Sequence, residues 1–113
     1  MEVEQAGIGG VEVFRIRGRF DSTTSPAFEE RLRTAIQAGA TRLVLDFNGL
    51  DYVSSAGLRV VLLAAKQTRA AAGGFAVFGL KPTVEQVFRM SGFSGIIQVL
   101  ATEEEALAAA GAR

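Results

Sequence analysis

The sequence predicts an α/β protein: a mixed, mostly parallel central sheet flanked by about four helices, with its N-terminal strands antiparallel. Two observations carry the class and a third its size. From residue 41 onward, short apolar runs alternate with segments of helical spacing, the order produced by parallel strands joined through helices. Before that, two strand-like runs flank Gly9-Gly10, the mark of a hairpin and so of an antiparallel pair. The 113 residues are 49% apolar, which suits one domain over residues 1–113 that buries about two thirds of its unfolded surface.

Each element has its own local reason. Val3 to Ile8 and 11–17 form the hairpin. In the second strand Val11, Val13 and Ile16 are apolar while Glu12, Arg15 and Arg17 are polar, which predicts one wetter face with Phe14 out of phase; Gly18 is expected to end it. A helix should begin at Pro26, which suits the first helical position, with Ser25 as its cap. Phe28, Leu32, Ala35 and Ile36 come next at helical spacing, and Gly39 is a natural stop. Residues 41–47 (TRLVLDF) read as a strand covered on both faces, because Leu43, Val44 and Leu45 are consecutive. A loop, NGLDYVSS, then leads into a helix of about 56–72. A strand at 75–80 comes after Gly73-Gly74, Pro82 opens a short helix through Val84, Val87 and Phe88, and 96–100 forms the last strand. Thr102 with Glu105 is a capping box for the final helix, whose positive end also suits Glu103 and Glu104.

Composition excludes more function classes than it suggests. Twelve basic residues balance twelve acidic ones, so nothing favours nucleic acid or an anionic membrane as partner. Without cysteine there is no disulfide, thiolate nucleophile or zinc–sulfur site, and without histidine the commonest general base and metal ligand are missing. No P-loop pattern occurs. The expectation is a non-enzyme with no cofactor and no metal. No apolar run reaches the ~18–20 residues of a membrane span, and the acidic N-terminus lacks a hydrophobic signal core; a cytoplasmic protein is expected.

In open α/β sheets sites lie beyond the C-terminal ends of strands, where helices begin. Here that junction holds Ser54 and Ser55 before a strongly apolar helix. A serine there is ordinarily an N-cap, worth about 1 kcal/mol. The same helix end also favours negative charge, so a phosphate on Ser55 would be accommodated. Along the helix, Leu58, Val61, Leu62 and Ala65 make one apolar face and Val60, Leu63 and Ala64 another. Two such faces on a helix flanking a sheet suggest that one meets a partner. Around the junction, Asp21 is a turn brace or a neighbour of the serines, Asp51 a turn residue, and Gly57 a close-packing position. Asp46 is expected to bond the loop backbone, Arg59 to be solvated or to touch a partner, and Phe88, Met90 and Phe93 to lie in the core.

Residues 43–74 resemble the signature of the STAS domain as found in bacterial anti-sigma-factor antagonists: Asp46-Phe47 closing a strand, Tyr52-Val53, then Ser54-Ser55-Ala56-Gly57-Leu58 opening a helix. Residues 18–32, 79–93 and 102–107 resemble flanking segments of that family. The resemblance implies partner switching. The unphosphorylated antagonist binds an anti-sigma factor that is also a serine kinase, which releases a sigma factor; phosphorylation ends the complex, and a PP2C-type phosphatase reverses it. It implies Ser55 as acceptor, with Ser54 second because that position is often Asp in the family. Asp21, Asp51 and Gly57 would surround the phosphosite, and Ser54, Ser55, Ala56, Leu58, Arg59 and Leu63 would meet the partner. The chain itself would be a monomer or weak dimer. An alternative is a STAS adaptor subunit of a lipid-transport ABC complex or of a stress-signalling scaffold, with no phosphoswitch.

Overall fold

The computed structural model describes the backbone of residues 1–113 and every side chain except that of Ser94. Gly9 and Gly10 turn the chain between strands β1 (Glu2–Ile8) and β2 (Val11–Phe20), which pair antiparallel from Ile8–Val11 to Glu2–Arg17. Helix α1 (Ser25–Gln37) then leads to β3 (Arg42–Val53), α2 (Ser55–Ala70) to β4 (Gly74–Phe78), and α3 (Pro82–Met90) to β5 (Gln98–Leu100). Helix α4 (Glu103–Ala110) comes last. The sheet order is β1-β2-β3-β4-β5, and β2 to β5 run parallel.

Strand alternation splits the apolar residues between two cores. One face carries Phe14, Ile16, Leu43, Leu45, Phe47, Phe75 and Val77 and is covered by α1, α2 and α3. The other carries Val11, Val13, Val44, Ala76 and Phe78 and is covered by α4 through Ala106 and Ala110. Phe14 is therefore not out of phase: it and Ile16 face the large core while Val11 and Val13 face α4, so this half of β2 is buried on both sides. Phe28 of α1 packs edge-on against both Phe14 (5.8 Å) and Phe20 (5.3 Å). A buried ring of this kind stabilises by about 2–3 kcal/mol. Arg15 ties β2 to Asp46 on β3 (3.1 Å) and to Glu103 on α4, and the hydrogen bonds it donates to these two carboxylates, Glu103 first, raise its guanidinium pKa.

Several boundaries differ from the sequence expectation, each through pairing or packing at a distance. Gly18 does not end β2; it takes φ +105°, next to a register shift, and the strand continues to Phe20. The segment expected as a loop after Phe47 is strand as far as Val53. It pairs only with β2, since β4 stops opposite Asp46. Ser25 is the first residue of α1 and is buried, so it is not the cap. β5 begins at Gln98 rather than residue 96. Met90 is 79% exposed, outside the core in which a residue of its type is expected, while Phe88 is buried. Pro26 is the second helical residue rather than the first, whereas Gly39 and the Thr102–Glu105 capping box stand as expected.

Candidate functional site

The β2–β3 pair extends beyond the rest of the sheet and ends at the start of α2. The register shifts twice along it, between Arg15/Arg17 and between Gly18/Arg19, so β3 feeds more residues into the pair than β2. Bulges of this kind bend a strand and re-aim the chain beyond it. Here Phe20 comes opposite Val53, and the Ser54 N–H donates to the Phe20 carbonyl at 2.9 Å. The last backbone bond of the pair thus fixes the residue that starts the helix.

Ser54 is the N-cap of α2. Its backbone is extended, and its Oγ accepts the Gly57 N–H at 3.2 Å. Gly57 is needed because the helix presses on the end of β2: a Cβ there would lie 2.8 Å from the Phe20 carbonyl oxygen and 3.0 Å from both the Phe20 ring and Val53. Among the described residues the Ser55 hydroxyl has no hydrogen-bond partner, and its residue is exposed while Ser54 is half-buried. The first turn of α2 carries no acid. Its free N–H groups therefore present partial positive charge beside an accessible hydroxyl.

Asp21 sits just past Phe20 and organises the approach to α1. Its Oδ1 accepts the Thr23 N–H (3.0 Å), the Thr23 hydroxyl (2.6 Å) and the Thr24 N–H (3.2 Å). These bonds, the Thr23 hydroxyl first, hold its carboxyl below the ordinary value of 3.8. Thr24, at the cap position, makes no cap bond with its own side chain; the Asp21 carboxylate braces the turn before the helix, and the Asp21 carbonyl accepts the Ser25 N–H at 2.9 Å. The Arg19 guanidinium stacks 4.2 Å from the centre of the Tyr52 ring, and Asp51 pairs with Lys81 at the start of α3. Asp46 accepts the Asn48 N–H at 2.9 Å, as the sequence suggested.

The two apolar faces expected on α2 do not exist as such. Val60 and Ala64, placed on the second face, are buried together with Leu58 and Val61, because α1 packs beside α2 as well as the sheet beneath it. Leu58 is only 6% exposed, so its side chain is not available to a partner. Leu63 is half-buried and borders the crevice between α1 and α2. What α2 leaves to solvent is Ser55, Arg59, Lys66, Arg69 and Ala70, with Ala56, Leu62 and Leu63 half-buried. Arg59 is not free: its Nη2 donates to Glu29 of α1 at 3.3 Å, a pairing that the sequence offered no way to see because the partners lie 30 residues apart.

The β2–β3 pair thus delivers an exposed serine to the start of an apolar helix. The STAS domain family model matches residues 2–106, and the chain belongs to that family. It is 41% identical over 109 residues to BtrV of Bordetella bronchiseptica, which is assigned by name to the anti-sigma factor antagonists; the match covers 96% of this chain and 94% of that one. Two solved structures of SpoIIAA superpose on it. The unphosphorylated anti-sigma factor antagonist does so with a TM-score of 0.80 and 29% identity, covering 92% of this chain and 91% of that one. The phosphorylated form from Bacillus does so with 0.73 and 28%, covering 92% and 95%. No helix among the described residues is long and apolar enough to cross a membrane.

Proposed function

We propose that this chain is a cytoplasmic anti-sigma-factor antagonist that works by partner switching. In its unphosphorylated state it binds an anti-sigma factor that is also a serine kinase, and a sigma factor is released. The kinase moves the γ-phosphoryl of a nucleoside triphosphate to the Ser55 Oγ: the bond to the β-phosphate breaks, the nucleoside diphosphate leaves, and the serine proton goes to a base on the kinase. A PP2C-type phosphatase returns the hydroxyl by hydrolysis, with inorganic phosphate as product. The observation that carries this reading is the division of labour between adjacent serines. Ser54 has its oxygen committed to the Gly57 N–H, whereas the Ser55 hydroxyl is exposed and unbonded.

The phosphoryl group adds about −1.5 to −2 charges at a helix end that tolerates them. A partner shaped to take a neutral hydroxyl beside Ala56 and Leu63 must desolvate or oppose that charge. A cost of about 3 kcal/mol corresponds to roughly a hundredfold loss of affinity. No rearrangement of the fold is required. The test is phosphosite mapping by mass spectrometry on the chain taken from its native cells, paired with calorimetry against the anti-sigma factor. Phosphate on Ser55 with a hundredfold weaker complex is the expected result. Phosphate on Ser54 would move the acceptor. A Ser55→Ala chain regulated like the native one would favour a STAS adaptor with no phosphoswitch.

A further inference from the structure

We infer that Arg59 is the counter-ion of the phosphorylated Ser55, and that the phosphoryl group captures it from Glu29 of α1. The inference rests on Ser55 as phosphoacceptor and adds the device by which the modification is sensed within the chain. Ser55 and Arg59 are four residues apart on α2, so they lie one above the other on the same side of the helix, with Cβ atoms about 5–6 Å apart. The acidic group is the N-terminal member, which is the favourable order for such a pair. Both residues are exposed, and the Arg59 side chain at 67% has room to move.

Arg59 is also weakly held where it is. Its one bond to Glu29 is 3.3 Å long, whereas Glu29 has a shorter one, 3.0 Å, to Arg33 in its own helix. Glu29 therefore keeps a cation when Arg59 leaves. The other charges brought to this end of the fold are already matched: Arg19 lies 3.8 Å from Asp21 at the end of β2, and Lys81 pairs with Asp51. Arg59 is the cation on the serine's own helix face. A guanidinium can bond a phosphate through two N–H groups at once, which one carboxylate oxygen at 3.3 Å does not match. Phosphorylation would thus do two things: change the charge at Ser55, and undo the Arg59 link between α2 and α1.

The experiment separates this from the kinase question by installing phosphoserine at position 55 during synthesis of the full chain. The second ionisation of the phosphoserine, about 6 in isolation, is then tracked by ³¹P NMR at low salt. In the native background it should lie below the value for the same chain unfolded in urea. Arg59→Gln should raise it by about 0.3 of a pH unit, Arg59→Lys should restore part of the shift, and Glu29→Gln should lower it further. The Arg59 contribution should fade in 1 M salt. If Arg59→Gln leaves the titration unmoved, the helix end alone holds the phosphate and the inference is overturned, with Ser55 still a valid acceptor. If the shifts appear but the phosphoserine chain binds the anti-sigma factor as well as the unmodified one, the Arg59 pairing stands and the switching function falls.

Discussion

Helices α2 and α4 both begin behind a hydroxyl cap: Ser54 takes the Gly57 N–H at 3.2 Å, and Thr102 takes the Glu105 N–H at 3.2 Å. Beyond that bond they diverge. At α4 the Glu105 carboxylate reaches back to the Thr102 N–H at 3.1 Å, and Glu103 and Glu104 add two more acids to the first turn. That helix end is electrostatically satisfied by its own sequence. At α2 the third position is Gly57 rather than Glu, the first turn holds no acid, and the adjacent hydroxyl is exposed. The difference separates a cap that only stabilises from one that leaves room for an added anion. It arises because α2 has to seat against the end of β2, where a side chain at position 57 would strike the Phe20 carbonyl.

The comparison is broken most severely by making α2 begin like α4. Gly57→Glu should destabilise the fold by about 2–3 kcal/mol in urea unfolding, because the helix must move off Phe20. Glu105→Ala, at the equivalent position of α4, should cost only about 1 kcal/mol. A Gly57→Glu chain as stable as the native one would show that the contact at residue 57 yields easily and that a missing acid there needs another cause.

The caps themselves should be closer in size. Ser54→Ala and Thr102→Ala should each lower stability by about 1 kcal/mol, while Ser55→Ala should stay within about 0.5 kcal/mol because its hydroxyl is unbonded. A large loss for Ser55→Ala would place that hydroxyl in the fold rather than in regulation.

The smallest effect concerns the third helix start. The Asp21 carboxylate braces the turn that leads into α1, and its bonds to Thr23 and Thr24 hold it below the ordinary 3.8. A depressed carboxylate adds stability at pH values above its unfolded pKa, and that stability is lost as pH falls through the folded value. Native chain and Asp21→Asn should therefore differ in thermal midpoint at pH 5–7 and converge in the acid range below about pH 4. A difference that is unchanged down to pH 2 would assign the effect to shape rather than charge.

Local chemistry was legible wherever it is settled within one turn of chain. Pro26, Gly39, the Gly9-Gly10 turn and the Thr102–Glu105 box all act on neighbours in sequence, and the consecutive Leu43, Val44 and Leu45 show that both faces of β3 are covered. The paired serines before an apolar helix, with the STAS-like signature around them, also located the candidate site. Which of the two is the cap could not be read, because Ser54 and Ser55 have the same side chain.

The sequence by itself determined the α/β class, the order of the elements and the residues at the start of α2, since these arise from hydrophobic period, turn residues and cap preference. The tertiary structure alone decided the rest. It extended β3 to Val53 by pairing it with β2, gave Ser54 to the helix cap by bonding its N–H to Phe20, and buried Leu58, Val60 and Ala64 in the core that the sheet and helices share. It also joined Arg59 to Glu29 across 30 residues of chain. Each of these depends on strands and helices that meet only after folding, and periodicity within one segment carries no information about what will be packed against it.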